Sequence, residues 1–250
     1  YSNGVNMSYL FSTCYRLREI PYDYFTNMFP KEYWDSAKNY GSNRSNLFQN
    51  CYSLRRLPDL TVLNNKSTQY NSLYNYMAYT CYALDEVTNI PVIDNLDLTS
   101  NYFSYTFYNV GRVKNITFAT NEDGTPIVAR WKNQTISLTY QIGYLEGNSS
   151  NYFLRYNSGI TEDKEIKDDA TYQALKDNPD AWTKLHAYSR YNHDSAVNTI
   201  NSLPDTSAYG TNTIKFDGLA GAKTDGGAIN TLTEEEIAVA TAKGWTVTLS

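Results

Sequence analysis

The stretch LFQNCYSLRRLP, residues Leu47–Pro58, decides the fold because its pattern recurs along the first half of the chain. LFSTCYRLREIP at Leu10–Pro21 precedes it, while MAYTCYALDEVT at Met77–Thr88 and TFYNVGRVKNIT at Thr106–Thr117 follow it. Apolar residues recur at the same places in all four copies. Self-similarity with a period of about 20 to 50 residues is typical of a solenoid, in which each coil buries its apolar face against its neighbours.

The three cysteines of the chain fall in one register of this repeat. Cys14, Cys51 and Cys81 are equivalent positions, and Val110 takes the same place in the fourth copy. A cysteine that valine can replace is expected to be a small hydrophobic core residue. Two alternatives stay open: a disulfide between two stacked cysteines, and a reactive or metal-binding thiol. No Cys-x-x-Cys pair or nearby histidine supports a metal site.

Each copy predicts a short helical turn followed by a short strand. The Phe-x-x-Cys part is interpreted as the helical turn, and the Leu-x-x-Ile-Pro part as the strand. Pro21 and Pro58 are expected to end their strands because proline has no N–H to donate to a ladder. The strands of successive copies would form a parallel sheet, with the helical turns as crossovers. The predicted class is therefore α/β.

The chain after the fourth copy predicts further strands and helices. Ile116–Tyr140 is interpreted as two strands joined by a turn at Asp123-Gly124. Asp194–Phe216 and Thr233–Ser250 each predict a helix, a turn and a strand, and their strands are expected to extend a parallel sheet. In the second unit, Thr233 and Glu236 form a capping box. Gly244 stands where the end of a helix favours a left-handed residue.

Three regions follow from these patterns. Residues 1–146 carry the repeats. Residues 147–185 are a polar junction that contains a predicted helix within Thr161–Asp177. Residues 186–250 carry the C-terminal helix–strand repeats, of which the last would cap the end of the solenoid.

The pattern LFxxCxxLxxIP resembles the BspA-like leucine-rich repeat family, over roughly residues 1–140. DLTSN at Asp97–Asn101 is similar to the connectors of that family. HAYSRYNHDSAV and GGAINTLTEEEIAVATAKGWTVT resemble the C-terminal units of leucine-rich repeat proteins encoded by phages and bacteria of the gut Bacteroidales. The resemblance implies a leucine-rich-repeat solenoid with a parallel sheet and short helical turns.

The same resemblance implies a non-enzymatic recognition or structural protein. The first expectation is a phage tail-fibre or other virion-surface component that contacts a bacterial surface receptor. The alternative is a BspA-like cell-surface adhesin that binds a protein or a glycan, and the third reading is an enzyme without a recognisable motif. The partner would be a bacterial or host surface protein or glycan, and the location a virion surface or the cell exterior. Self-association into a homo-oligomer is left open, and a first residue other than Met suggests a fragment or processed product.

Composition and motifs argue against several other functions. A net charge of −5 without a basic run is unfavourable for nucleic-acid binding, and no apolar run is long enough for membrane insertion. GLAGAKT at Gly218–Thr224 lacks the glycine that a phosphate loop requires before its lysine. His186 and His193 lack the i, i+4 spacing of a helical zinc pair. No cofactor and no metal are therefore expected.

Tyrosine points to the candidate binding residues, since the chain holds 24 of them and tyrosine offers a large contact surface with a polar tip. The residue after each cysteine is Tyr15, Tyr52 or Tyr82, so stacking would align these rings in a column. The insertion between the first two copies, Pro21–Asp35, adds five further candidates: Tyr22, Tyr24, Phe29, Tyr33 and Trp34. For both groups, packing for stability is the alternative to ligand contact.

Overall fold

The computed structural model of the chain describes nine stretches of the sequence. They are residues 6–28, 44–63, 73–81, 84–93, 101–108, 110, 113–138, 191–216 and 231–249. The junction 147–185, including its predicted helix, lies outside the described residues.

The four copies of the repeat stack in the predicted register, which backbone hydrogen bonds establish. The amide of Thr13 donates to the Gln49 carbonyl (2.8 Å), and the amide of Asn50 donates to the Tyr79 carbonyl (2.9 Å). The amide of Thr80 continues the series to the Tyr108 carbonyl (2.8 Å). Equivalent residues of neighbouring coils therefore lie beside one another.

The Phe-x-x-Cys part of each coil is not a helical turn, and this prediction is wrong. It is a run of tight turns whose alternate amides bond to the next coil, as between parallel strands. Seven described residues of this run have positive φ, in two equivalent columns: Tyr9, Asn46, Tyr76 and Tyr105, then Thr13, Asn50 and Thr80. We call this run the turn ladder. Its inter-coil hydrogen bonds offset the cost of left-handed backbone at residues other than glycine.

Substitution of Thr13 by glycine tests this geometry. Thr13 is exposed and has φ 62°, a conformation that glycine adopts without the penalty of a β-carbon. We expect Thr13→Gly to leave the free energy of unfolding unchanged or to raise it by up to about 1 kcal/mol. Urea denaturation measures the change. The neighbouring Ser12→Gly is the control and should lose about 0.5–1 kcal/mol. An equal loss in both variants would contradict the left-handed turn.

The cysteine register is confirmed, with one correction. The Cys51 thiol donates to the Phe11 carbonyl and the Cys81 thiol to the Phe48 carbonyl, both at 2.9 Å, and both side chains are fully buried. All three cysteines are free, so the disulfide alternative is not realised. Cys14 is exposed rather than buried, because it lies in the first coil, where no described coil stacks on its outer side.

Thiol labelling checks this arrangement. We expect a disulfide reagent such as dithionitrobenzoate to modify only the exposed Cys14 rapidly in the native chain. Burial raises the pKa of Cys51 to about 12, helped by the neighbouring Cys14, and burial also raises that of Cys81, so both lack reactive thiolate. Unfolding should release all three thiols. In Cys14→Ser no rapid reaction should remain, and rapid labelling of this variant would contradict the stacked core.

The strand part of each coil forms a second column of hydrogen bonds. The Arg55 amide donates to the Arg18 carbonyl (3.0 Å), Asp85 to Arg55 (2.9 Å), and Lys114 to Asp85 (2.7 Å). Among the described residues of the four coils, regular strands form in the third and fourth: β1, Glu86–Ile90, and β2, Asn115–Phe118, which pair in parallel. The expected strands of the first two coils reduce to a single bridge, between Arg56 and Glu86.

The shortness of those first two strands has a local cause. Pro21 and Pro58 follow the paired positions and lack the N–H that would extend the ladder. A short helix α1, Tyr24–Met28, then follows the first coil, and a 3₁₀ turn, Thr61–Leu63, follows the second.

The C-terminal part of the chain builds a separate parallel sheet. Strand β3, Thr135–Ser137, pairs with β4, Asn212–Phe216, which pairs with β5, Trp245–Leu249. The parallel pairing predicted for the last two strands is confirmed. Helices α2, His193–Ser202, and α3, Glu234–Ala242, precede β4 and β5.

Several local predictions in this part are also confirmed. The turn after β2 places Gly124 at φ 80°, and Thr120 and Pro126 bridge across it. The capping box of Thr233 and Glu236 is present at the start of α3. Gly244 has φ 82°, and a β-carbon there would lie 2.8 Å from the Thr206 hydroxyl and 2.9 Å from the Gly210 carbonyl, so glycine is required.

Helix α2, which leads into β4 of the C-terminal sheet, is hydrogen-bonded to β2 of the first sheet. The Thr199 hydroxyl donates to the Ile116 carbonyl of β2 (2.6 Å), and the Phe118 amide donates to the Ser202 hydroxyl (3.0 Å). The core is continuous across this junction, where Trp131 is fully buried among aromatic side chains. Within the described residues, no helix combines the length and apolar character needed to cross a membrane.

Candidate functional site: the tyrosine patch on the turn ladder

Four tyrosines of the turn ladder lie in mutual contact on the third and fourth coils. Tyr76 and Tyr105 are equivalent residues with stacked rings (centroids 5.0 Å apart, 26° between planes). Tyr79 and Tyr108 form a second stacked pair (5.2 Å, 8°). Ring contacts of 5.5 and 5.7 Å join the two pairs. We call these four residues the tyrosine patch.

The local sequence explains why these rings face outward. The residues between them, Met77, Ala78 and Phe107, are fully buried in the core. The tyrosines on either side of these buried residues are left at the surface. Tyr105 is 54% exposed, and the other three rings are half-buried. The patch therefore offers aromatic surface and phenol groups to a ligand.

The same columns continue across the first two coils with polar residues. Tyr9 and Asn46 precede Tyr76 in one column, and Ser12 and Gln49 precede Tyr79 in the other. The Ser12 hydroxyl donates to the Gln49 amide oxygen (3.4 Å). Tyr9 is largely exposed, while Asn46 is buried. The turn ladder thus presents aromatic rings at its third and fourth coils and the half-buried amide of Gln49 at its second.

The predicted column after the cysteines is present where the structure describes it. The rings of Tyr15 and Tyr52 lie 4.8 Å apart at 32°, and Tyr15 is 38% exposed. Tyr82 lies outside the described residues. Contact between the two rings fits both readings of this column, packing and ligand contact, so it forms a smaller secondary surface.

The candidates of the insertion separate into two groups. Tyr22 is 62% exposed and therefore accessible. Tyr24 packs on Phe11 and Phe25 (5.3 Å to each ring), and Phe25 is fully buried. Packing against the first coil, the alternative reading, accounts for Tyr24. Phe29, Tyr33 and Trp34 lie outside the described residues.

The tyrosine patch was missed from the sequence, although a signal was present. Tyr76 and Tyr79 precede Cys81 by the same intervals as Tyr105 and Tyr108 precede Val110. Extending the register to every position of the repeat would have placed both pairs side by side.

His193 and Lys243, two ionisable groups outside the tyrosine patch, hold helix α2 in place. His193 Nε2 lies 3.1 Å from Glu236 Oε2, which links α2 to α3. Burial opposes protonation of this imidazole, but hydrogen bonds and negative charge from Glu236 and Asp194 outweigh it and raise the pKa of His193. Lys243 Nζ donates to the Ile200 carbonyl (2.9 Å) at the end of α2, and burial lowers the pKa of Lys243 to about 8.

These groups form no metal centre in the described part of the chain. Among the described residues, no three or more of His, Cys, Asp and Glu come together in a way that could hold a metal ion. Comparison with known proteins adds no relative, since no family model, no curated protein and no solved structure matches the chain.

Proposed function

We propose that the chain is a BspA-like leucine-rich-repeat solenoid that acts as a non-enzymatic recognition protein. Its proposed setting is a phage tail fibre or another virion surface, where it contacts a bacterial surface receptor. The repeat pattern and its resemblance support the class and the setting. The exposed rings of the turn ladder support recognition.

The tyrosine patch carries this proposal. Tyrosine supplies a large, fairly rigid contact area at low entropic cost, and clustered aromatic residues dominate the energy of many interfaces. Four such rings held by two stacked coils are already ordered before a ligand arrives. Little conformational entropy is then lost on binding, which favours affinity.

The test is binding of the full chain to a panel of gut Bacteroidales cells. Tyr105→Asn is the decisive variant because Asn46 occupies the equivalent left-handed position (φ 58°), so the fold tolerates asparagine there. We expect this change to weaken cell binding about tenfold or more, as loss of a central aromatic contact does. Flow cytometry with fluorescently labelled chain measures it.

A matched control separates the patch from tyrosine in general. Tyr209 is 48% exposed and lies far along the chain, between α2 and β4, so Tyr209→Ala should bind like the parent. No binding to any strain of the panel, or equal binding by Tyr105→Asn and the parent, would contradict the proposed function.

A further inference from the structure

The geometry points to a neutral, extended glycan as the ligand of the turn ladder, running along the stacking direction of the coils. This inference rests on the proposed function and names the chemical class that the tyrosine patch would recognise.

The first observation is the chemistry of the turn-ladder surface. Three columns of the ladder contribute to it, and every described residue in them is Tyr, Asn, Gln, Ser or Thr: Tyr9, Asn46, Tyr76 and Tyr105; Ser12, Gln49, Tyr79 and Tyr108; Thr13, Asn50 and Thr80. Asn46 and Thr80 are buried, and the other nine side chains reach the surface. Charged residues make up 19% of the chain, yet none occupies these described positions. A phosphate or carboxylate ligand would find no cation in these columns to pair with.

The strand positions of the same coils show the opposite pattern. Arg18, Arg56, Glu86 and Lys114 are all exposed there. Charged residues thus lie at the strand positions of each coil and are absent from the described positions of the three turn-ladder columns. This contrast indicates that the uncharged columns are a distinct surface rather than a consequence of composition.

The second observation is how the rings are stacked. Ring centroids 5.0 and 5.2 Å apart with planes within 26° and 8° of each other describe offset stacking. Carbon atoms in contact lie about 3.5–4.0 Å apart, so these rings are displaced sideways and do not fully cover one another. Their exposed aromatic surface suits the apolar C–H faces of a sugar, and the phenols and the Gln49 amide suit its hydroxyl groups.

The third observation is the regular spacing. The rungs of both columns repeat at the coil spacing, and the amide group of Gln49 extends the column of Tyr79 and Tyr108 on the next coil. A polymer of similar units can place one unit after another on such rungs. A folded protein partner has no reason to match this repeat, although tyrosine and asparagine would also suit it.

The test uses the strain that the full chain binds best. Cells are treated in parallel with periodate, which oxidises sugar diols, and with a broad protease. We expect periodate to abolish binding and protease to leave it intact. Binding should persist in about 1 M NaCl, where the Debye length is about 3 Å, because no charge pair contributes.

Purified polysaccharides and variants complete the design. At least one of the neutral polymers mannan, dextran, laminarin and xylan should compete with cells for binding to the chain. The anionic polymers hyaluronan and polygalacturonate should not compete. Tyr105→Asn and Tyr79→Gln, each copying the residue of the second coil, should weaken binding of that neutral competitor about tenfold or more. Arg56→Ala on the strand positions should not change it.

Failure of the inference is distinguishable from failure of the proposed function. Binding that depends on Tyr105 but is destroyed by protease and survives periodate overturns the glycan and leaves recognition standing. Competition by the anionic polymers alone, or by none of the polymers tested, also overturns the neutral-glycan class. Cell binding that is insensitive to Tyr105→Asn overturns the proposed function itself.

Discussion

Replacement of Trp131 by alanine is expected to lower the free energy of unfolding by about 3–5 kcal/mol. Trp131 is fully buried, and its ring contacts those of Tyr74, Phe103 and Phe118 at 5.8, 5.4 and 6.3 Å. Its Nε1 also donates to the Ile93 carbonyl (3.0 Å). Alanine would therefore leave a cavity at the junction of the repeats with the C-terminal sheet and an unpaired carbonyl beside it.

Two control variants divide this loss into its parts. Trp131→Phe keeps most of the ring but removes the N–H donor, so the free energy of unfolding should fall by less than in Trp131→Ala. Much of that smaller decrease is the cost of leaving the buried Ile93 carbonyl unpaired, about 1–3 kcal/mol. Val128→Ala, at an exposed position nearby in sequence, should change stability by no more than about 0.5 kcal/mol. Urea denaturation followed by circular dichroism measures all three. A loss below about 1 kcal/mol for Trp131→Ala would contradict this core.

The register of the repeats was predictable because it depends on a local pattern. Small or apolar residues at equivalent places, such as Cys51 and Cys81, pack inside whatever coil the backbone forms. The capping box of α3 and the left-handed Gly244 were equally readable, since each depends on side chains a few residues apart. Features of this kind require no knowledge of distant contacts.

The conformation of the turn ladder was not predictable by the same means. Threonine and tyrosine rarely adopt positive φ, so Thr13, Tyr76 and Tyr105 carry no local signal for it. Only Asn46 and Asn50 belong to a residue type that is enriched there. The hydrogen bonds that hold these backbones come from the neighbouring coil. The sequence alone therefore favoured a helical turn over turns with left-handed residues.

Long-range pairing explains the other differences. Strand β3 pairs with β4, which lies after the junction 147–185 in the sequence. No sequence pattern in either strand indicates which strand it pairs with. The link from His193 to Glu236 has the same character, because two helices bring together side chains that are distant in the chain. The tyrosine patch is intermediate: its register was readable, but the outward direction of its rings depended on the turn conformation.

Replacement of Asn212 by leucine should be the second large effect, a loss of about 2–5 kcal/mol from two or more unpaired buried groups. Asn212 lies buried at the start of β4. Its Nδ2 donates to the Trp131 carbonyl (3.1 Å) and the Thr206 hydroxyl (2.8 Å), and its Oδ1 accepts from the backbone N–H of Gln134 (2.9 Å). This one amide therefore holds β4 to the segment before β3, and leucine of similar size offers no replacement bond.

Comparison with Asn212→Asp and Asn198→Leu identifies the cause. Aspartate keeps the shape and the acceptor, but its buried carboxyl should have a pKa raised by desolvation. A carboxyl whose folded pKa lies above its unfolded value is stabilising at low pH and loses that contribution as pH rises through the folded pKa. Relative to the parent, Asn212→Asp should therefore be less destabilised at pH 4 than at pH 7, whereas the deficit of Asn212→Leu should show no such pH dependence. Asn198 is exposed, so Asn198→Leu should change stability by at most about 0.5 kcal/mol, and a loss equal to that of Asn212→Leu would show that the buried amide is not what holds the strands.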